Sequence, residues 1–369
     1  MKLSRINACL LMIILFCHVF STSKADEVNT SNVSTYQCGN FVYVILDNGD
    51  AEIVDYCAYP RGNITIPNDL DGHPVTSIRE NPFYGDDYTI SVNKNHPYLA
   101  TINGVLFGKT DKRIICCPKT LKLEEYTIPE GICIIGSYAF YDCRALKKIT
   151  IPNSVVKIED YAFYSCDGLS RVEIPNSVSS IGAMAFQGDS RCHVQFVLAT
   201  NHPFFQLIDG ILYNKANKSV VCCTDDDNRR QYSIQAGTEI IGDGAFYFRI
   251  SNYPRYYVQI PDSVTEIGDM AFFRNFLHDL VIPDGVTSIG SMAFYDCKLE
   301  VSGIFIPESV TSIGAKAFYT YISYNEDRPR GDLIVVKGSY AEQYCIENGH
   351  KYTYYDPATE DADTDWLNN

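Results

Sequence analysis

Residues 151–163 read IPNSVVKIEDYAF, residues 174–186 read IPNSVSSIGAMAF, and residues 282–294 read IPDGVTSIGSMAF. Each stretch opens on Ile-Pro, carries further apolar residues four and seven positions after the Ile, and ends in Ala-Phe. This unit decides the fold, because self-similarity at a period of about 20 to 29 residues is typical of a solenoid. In a solenoid one unit cannot bury its apolar side chains alone, and stacking on its neighbours buries them.

The unit recurs along most of the chain. The Ala-Phe pairs begin at residues 139, 162, 185, 245, 271, 293 and 317. An Ile stands eleven residues before each of them, at Ile128, Ile151, Ile174, Ile234, Ile260, Ile282 and Ile306. Pro follows every one of these except Ile234. A divergent eighth copy begins at Ile66-Pro67 and ends at Phe83.

Each part of the unit has a physical interpretation. Alternation around Ile149 and Ile151 predicts a short strand, which Pro152 ends because it has no N–H for a ladder. The stretch from Val155 to Ile158 is a second short apolar segment. The Ala-Phe end predicts a single helical turn in which Ala admits close backbone approach. The repeated Phe is expected to fill the core as a ladder of Phe140, Phe163, Phe186, Phe246, Phe272, Phe294 and Phe318.

A longer period of 106 residues explains the one gap of 60 residues between Ala-Phe pairs. His96-Pro97 recurs as His202-Pro203, and Cys116-Cys117 recurs as Cys222-Cys223. The gap is therefore a regular coil followed by a modified coil that carries a hairpin. Eight regular and two modified coils make about ten. Because each His precedes Pro in an equivalent coil, a structural turn is favoured over a metal-ligand role, and the vicinal cysteines are read as structural.

These repeats closely resemble the BspA-like leucine-rich repeat, over residues 62–330. The resemblance rests on units such as residues 151–166 and 282–297. It implies an α/β repeat solenoid, a right-handed leucine-rich-repeat horseshoe with short strands on the concave side. Members of this family are typically secreted or surface proteins, and some are adhesins or bind host proteins.

The ends of the chain predict further segments. Residues 1–25 have a basic start, an apolar run from Leu10 to Phe16 and a small-x-small site at 23–25, as in a secretory signal peptide. Residues 26–61 predict an N-terminal β-hairpin cap, with modified coils near 92–122 and 198–228 in the solenoid that follows. Residues 331–356 predict a strand-helix-strand C-terminal cap, and residues 357–369 an acidic tail. The chain is therefore expected to be secreted, either released or retained at the cell surface.

Two details of the caps follow from local patterns. Asn48-Gly49 between alternating segments is a strong hairpin signal, and Cys38 and Cys57 fall near the open end of that hairpin. We therefore predict a Cys38–Cys57 disulfide. At the other end Ser339 and Glu342 form a capping box for a helix ending at Gly349. The cysteines at equivalent repeat positions, Cys143, Cys166 and Cys297, are predicted to be buried free thiols.

Charge and motifs exclude several functions. The chain has 45 acidic and 30 basic side chains. Without residues 1–25, which hold three bases and no acid, 27 bases and 45 acids leave a net charge of −18. This argues against nucleic-acid binding, which needs clustered Lys and Arg. No later segment is long and apolar enough for membrane insertion. We find no catalytic, metal-binding or cofactor-binding motif, so an enzyme is not expected.

Function is then expected on the exposed face of the strands, where residues between the inward apolar positions point outward. One row would be Glu125, Lys148, Arg171, Gln231, Tyr257 and Asp279. The next would be Thr127, Thr150, Glu173, Ser233, Gln259, Val281 and Phe305. That these strands line the concave side is implied by the resemblance alone. If residues equivalent to 155–158 line it instead, the site lies there.

Three functions remain open at this point. A scaffold that binds an extracellular protein, in adhesion to host or neighbouring cells, is favoured. Carbohydrate binding is the alternative, because 27 Tyr and 19 Phe offer rings that stack on sugars. Most of those aromatic residues occupy positions that predict burial. The third is an enzyme or a mainly structural surface-coat protein without a specific ligand.

Overall fold

The computed structural model describes residues 34–83, 85, 87–188, 194–223, 231–247, 257–277, 280–299, 303–323 and 326–356. The predicted signal peptide at 1–25, the predicted tail at 357–369 and the candidate site residue Asp279 lie outside these ranges. The described residues form a β-solenoid of about ten turns, as the repeats predict.

The N-terminal strands form one mixed sheet and the first strand pair of the solenoid. They are β1 (Thr35–Cys38), β2 (Phe41–Ile45), β3 (Ala51–Tyr56), β4 (Arg61–Ile66), β5 (Asp69–Leu70), β6 (His73–Ile78) and β7 (Asp87–Val92). Antiparallel β2 and β3 form the hairpin that the Asn-Gly pair predicts, and Gly49 adopts the positive φ, +86°, that its turn requires. The sheet order is β1-β2-β3-β6-β5, while β4 pairs in parallel with β7.

The first modified coil is an antiparallel hairpin with one additional strand. Its strands are β8 (Leu99–Ile102), β9 (Val105–Gly108) and β10 (Arg113–Cys116), followed by a 3-10 turn at Lys119–Leu121. β10 then pairs in parallel with the first regular coil. We call this segment the first hairpin coil.

The regular coils that follow place two strand ladders side by side along the solenoid. Their strands are β11 (Glu125–Thr127), β12 (Ile134–Ile135), β13 (Lys148–Thr150), β14 (Lys157–Ile158), β15 (Arg171–Ile174), β16 (Ser180–Ile181) and β17 (Gln195–Leu198). The odd-numbered strands of this set pair in parallel with one another, as the long-strand ladder. The even-numbered strands pair with β10 and with one another, as the short-strand ladder.

The same sequence of elements repeats in the second half. The second hairpin coil contains β18 (Phe205–Ile208), β19 (Ile211–Asn214) and β20 (Ser219–Cys223). The coils after it contain β21 (Gln231–Ser233), β22 (Ile240–Ile241), β23 (Tyr257–Gln259), β24 (Glu266–Ile267), β25 (Phe276–Leu277), β26 (Ser288–Ile289), β27 (Lys298–Leu299), β28 (Ile304–Ile306) and β29 (Ser312–Ile313). β20, β22, β24, β26 and β29 continue the short-strand ladder in parallel.

The C-terminal segment ends the long-strand ladder. It contains β30 (Tyr319–Ser323), β31 (Glu326–Pro329), β32 (Leu333–Val335), α1 (Tyr340–Asn348) and β33 (Tyr352–Tyr354). The N–H of Glu342 donates to Ser339, and Gly349 ends the helix with φ +73°, so the predicted N-cap and helix end are both present. The return bond of the capping box is displaced by one residue, because Glu342 Oε2 accepts the N–H of Gly338 at 2.6 Å instead of that of Ser339. Ala341, Tyr344 and Cys345 of the helix pack into the core of the last coils.

The Ala-Phe segments are turns and not the helical turns expected from sequence. The residue before Ala has a positive φ in the coils with non-glycine residues there, for example +56° at Tyr161 and +54° at Met292. This left-handed residue prevents helix formation. It directs the next N–H groups toward the neighbouring coil, where the N–H of Phe163 donates to the carbonyl of Ala185 at 2.7 Å.

The repeated Phe residues form the predicted ladder within each run of regular coils. Phe140 stacks on Phe163 and Phe163 on Phe186, with ring centroids 5.1 Å apart in both pairs. A second run of four stacked rings is Phe246, Phe272, Phe294 and Phe318. All seven rings are buried. The prediction of a core ladder is confirmed.

The hairpin coils divide the hydrophobic core into three clusters. In the second hairpin coil, Ile211 packs into the cluster that extends to Cys345, whereas Leu212 packs into the preceding cluster, which begins at Val105. In the first hairpin coil Leu106 packs into the N-terminal cluster and Phe107 into the middle one. Both faces of each hairpin are therefore buried, which explains their unbroken apolar runs.

A β-bulge in each hairpin orients the vicinal cysteines. The pairing register shifts between Ile114 and Cys116, which leaves Cys116 in the N-terminal cluster and Cys117 in the middle one. Cys222 and Cys223 likewise belong to different clusters. Because neighbouring thiols point into separate cores, these pairs fill space, in agreement with their structural interpretation.

The Ala-Phe side of the solenoid bypasses the hairpin coils. The side-chain amide of Asn81 donates to the carbonyl of Tyr138 at 2.9 Å, across the first hairpin coil. Gln187, 106 residues later, donates to the carbonyl of Gly244 at 3.1 Å across the second. Both amides are buried. The regular turns on either side of a hairpin coil are therefore neighbours in space.

Candidate functional site

The long-strand ladder brings the predicted outward residues into contact register. Glu125 lies opposite Lys148, and Lys148 lies opposite Arg171. In the second half Gln231 lies opposite Tyr257, and Ser233 lies opposite Gln259. Parallel strands lie about 4.8 Å apart, so these side chains form one row across β11, β13, β15 and β17 and a separate row across β21 and β23. The structure thus assembles the predicted rows from separate coils.

Burial alternates along each strand as the prediction requires. In β15 the exposed residues Arg171 and Glu173 alternate with the buried residues Val172 and Ile174. In β23 Tyr257 and Gln259 are exposed on either side of buried Val258. The apolar residues hold the coil in the core, and the residues between them are free to contact a ligand.

Charged residues of the N-terminal half of this face are mostly paired with each other. Arg171 Nη2 lies 3.0 Å from Glu173 Oε1, and Lys147 Nζ lies 2.9 Å from Glu124 Oε2. Each of these side chains is more than half exposed, so the pairs contribute little to stability. They do neutralise this half of the face.

The last coils of the face expose apolar residues. Val281 is 73% exposed, and Phe305 is half-buried with its ring 4.7 Å from that of Tyr355. Phe305 lies opposite Ile334 in the pairing of β28 with β32. Ile334 is not among the predicted row residues, because the last Ile-Pro pair is at residues 306–307.

The rows also include residues that the repeat pattern missed. β17 extends the ladder so that Gln195 lies opposite Arg171 and Val197 lies opposite Glu173. Its Ile-Pro position is occupied by Leu198-Ala199, which hides the strand in the sequence. At the N-terminal end Asn63 and Thr89 extend the face, and their side chains are 3.1 Å apart.

The two histidines that could suggest a metal site act in turns. His96 Nδ1 accepts the N–H of Leu99 at 3.1 Å, and its Nε2 lies 3.4 Å from the carbonyl of Pro67. His202 makes the equivalent bonds with Phe205 and Pro175. Burial lowers the pKa of both rings, which favours the neutral imidazole that this bonding needs. The structural interpretation of both histidines is confirmed.

Asp243 has the most unusual electrostatic environment among the acids of the turns. Burial, followed by repulsion from Asp269, raises the pKa of its carboxyl to about 6. Its Oδ1 accepts the N–H of Asp269 at 2.7 Å, and Asp269 in turn accepts the N–H of Ser291 at 2.6 Å. These carboxylates connect successive coils. Within the described ranges no group of three His, Cys, Asp or Glu side chains could hold a metal ion.

The cysteines are free thiols in the part of the chain that the structure describes. Buried Cys143, Cys166 and Cys297 agree with the prediction for the repeat positions. Cys38 lies in β1 and Cys57 follows β3, with β2 between them. Two strand spacings place their backbones about 10 Å apart, beyond the roughly 7 Å that a disulfide spans. The Cys38–Cys57 disulfide stays a prediction that this geometry disfavours.

None of the helices in the described ranges is long and apolar enough to cross a membrane.

Comparison with known proteins identifies the repeats. The family of BspA type leucine rich repeat regions matches in six copies, over residues 114–202 and 222–326. The comparison with curated proteins gives no match.

Several solved structures are similar to this chain at low identity. A leucine rich cell surface protein from Faecalibacterium prausnitzii is 20% identical, with a TM-score of 0.45, over 90% of this chain and 97% of that chain. The pneumococcal vaccine antigen PcpA is 17% identical, with a TM-score of 0.47, over 88% and 99%. A leucine-rich repeat protein from Bacteroides ovatus is 18% identical, with a TM-score of 0.33, over 91% and 100%.

The family match covers more than half of the chain and coincides with the coils described above. This protein belongs to the BspA-type leucine-rich repeat family.

Proposed function

We propose that this protein is a non-enzymatic binding scaffold, secreted or held at the cell surface, that binds an extracellular protein through the outward rows of its long-strand ladder. One observation supports this most: exposed side chains differ from coil to coil while the residues beneath them stay apolar. Such a framework presents a broad surface without ordering flexible loops on binding, which lowers the entropic cost of association.

The proposed location rests on the family and on residues 1–25. Members of the family are typically secreted or surface proteins, and the N-terminal residues have the charge and hydropathy pattern of a secretory signal. Adhesion to host or neighbouring cells is the form of protein binding that we propose.

The arrangement of aromatic residues supports a protein ligand over a carbohydrate. Tyr138 and Tyr161 stack at 4.8 Å with their rings 3° from parallel, and Tyr247 stacks on Phe273 at 5.2 Å. A sugar needs the open face of an aromatic ring, and these rings cover each other's faces. The stacked faces in these ladders are therefore closed to a sugar.

Binding of residues 26–369 to parallel arrays of extracellular proteins and glycans tests the proposal. We expect a protein to bind, and we expect Arg171→Glu and Tyr257→Ala to weaken that binding with folding intact. Glycan binding alone would favour the alternative, and the absence of binding on both arrays would favour a structural coat protein. A protein ligand insensitive to both substitutions would contradict the proposed surface.

A further inference from the structure

The C-terminal half of the long-strand face exposes apolar side chains that soluble proteins usually bury. Val281 is the most exposed of the large apolar residues described, at 73%. Phe305 and Ile334, both half-buried, lie opposite each other in the pairing of β28 with β32. Val281 occupies the same repeat position as Phe305, one residue before the Ile of Ile-Pro. A stripe of this kind marks a contact surface more often than a scattered exposed residue does.

Three acidic residues lie beside this stripe, each three positions after a residue of the outward row. Asp262 follows Gln259, Asp284 follows Val281, and Glu308 follows Phe305. All three are exposed, and none has a hydrogen-bond or ion-pair partner among the described residues. They occupy the position directly after Ile-Pro in three successive units.

Neighbouring contacts place the three acids in adjacent coils. A side chain at Gly285 would meet the carbonyl oxygen of Asp262 at 2.5 Å, so these two coils touch at this position. Ser309 Oγ donates to the carbonyl of Val286 at 2.7 Å, which joins the third coil to the second. The carboxylates therefore form a column along the apolar stripe.

The N-terminal half lacks this combination. Its units have one acid at the position after Ile-Pro, Glu130, and the uncharged residues Asn153 and Asn176 in the next two units. The row residues there include charged side chains, of which Arg171 and Glu173 form an ion pair. Acids at this position in three successive units occur in the C-terminal half alone.

We propose that Val281, Phe305 and Ile334, together with the column Asp262, Asp284 and Glu308, bind a protein segment that combines apolar residues with Lys or Arg. This deepens the proposed function and rests on it. The apolar side chains would bury against the stripe, and the cationic groups would pair with the three carboxylates. Complementary charge sets the orientation and the association rate of such a segment.

The test uses a nine-residue peptide of alternating Lys and Leu as a probe, with a Glu and Leu peptide of equal length for comparison. The first variant is Asp262→Lys/Asp284→Lys/Glu308→Lys. The matched control is Asp69→Lys/Asp87→Lys/Glu130→Lys, which changes the net charge equally in the N-terminal half of the chain. Circular dichroism and thermal unfolding establish that both variants fold.

We expect the Lys-Leu peptide to bind the wild-type protein, and the Kd to rise about tenfold in the first variant and less than about twofold in the control. Val281→Ser should raise the Kd about threefold. The Glu-Leu peptide should bind weakly to the wild type.

Equal losses in the two triple variants would show that net charge alone attracts the peptide, and would overturn the inference. Failure of the wild-type protein to bind the Lys-Leu peptide would overturn it as well. In both cases a protein ligand found on the array, sensitive to Arg171→Glu, would leave the proposed function standing. The failure of the inference and the failure of the proposed function are thus separate results.

Discussion

In a regular coil such as residues 151–173, Val155, Ile158 and Phe163 all pack into one core cluster. In the second hairpin coil the adjacent residues Ile211 and Leu212 pack into different clusters. A regular coil has one buried side and one exposed side, whereas a hairpin coil is buried on both. The difference shows that a solenoid can contain a hairpin coil that is buried on both faces and still keep its regular coils stacked.

The largest expected effect tests the regular coils. Phe163→Ala removes the middle ring of a stack in which Phe140 and Phe186 lie on either side. We expect a loss of about 3 to 5 kcal/mol in the free energy of unfolding, because the cavity cannot collapse between two rings. Urea denaturation measures it. Phe305→Ala, at a half-buried surface site, is the control and should cost much less. Equal stability of Phe163→Ala and wild type would contradict the ladder.

The second prediction tests whether the hairpin coil separates two cores. Ile211→Ala and Leu212→Ala should each cost about 2 to 5 kcal/mol. Hydrogen exchange should accelerate mainly in residues 231–318 for the first variant and mainly in residues 125–186 for the second. The same exchange pattern in both variants would show that the second hairpin coil does not divide the core.

The third prediction concerns Asp243, which lies on the side that bypasses the second hairpin coil. Its pKa of about 6 in the folded protein exceeds the ordinary Asp value, so the folded state binds this proton more tightly. The contribution of Asp243 to stability therefore falls as the pH rises from about 4 to 6, and stays low above 6.

Asp243→Asn keeps an oxygen that accepts the N–H of Asp269 and removes the buried charge. We expect the variant to be more stable than wild type by about 1 to 3 kcal/mol at pH 7.5 and equal to it at pH 3.5. Thermal unfolding at both pH values measures this. A variant that is less stable at pH 7.5 would show that the charge itself supports the turn.

The smallest effect tests the vicinal cysteines. Cys116 and Cys117 point into separate clusters, so the costs of Cys116→Ala and Cys117→Ala should add to within about 0.5 kcal/mol in the double variant. Chemical denaturation of the single and double variants measures the coupling energy. A coupling above about 1 kcal/mol would place the two thiols in one core.

The repeat spacing predicted the regular coils well because each apolar position serves one purpose. The Phe ladder, the alternation in β15 and the N-cap at Ser339 all follow from residue type and period. The prediction of a helical turn at each Ala-Phe pair was wrong. The residue before Ala, such as Met292, has a positive φ, and its residue type does not indicate that conformation. The pairing of β17 was missed because its sequence lacks Ile-Pro.

The register of the outward residues was predictable from the sequence, whereas the contacts between their side chains were not. The outward rows follow from alternation alone, and the structure places them side by side. Some of these residues form ion pairs, as Arg171 and Glu173 do, and others form apolar contacts across strands, as Phe305 lies opposite Ile334. Sequence spacing does not reveal such contacts where the period is interrupted.

Two buried side-chain amides donate to backbone carbonyls across the hairpin coils, from Asn81 to Tyr138 and from Gln187 to Gly244. These two junctions, which we call seams, have equivalent hydrogen bonds and lie 106 residues apart. A gene encoding such a protein can gain or lose one block of this length by recombination between the seams. The new junction would reproduce contacts that already exist at the other seam, and both ends would be unchanged. Evolution can thus adjust the reach of the molecule in whole blocks, independently of the residues that its surface presents.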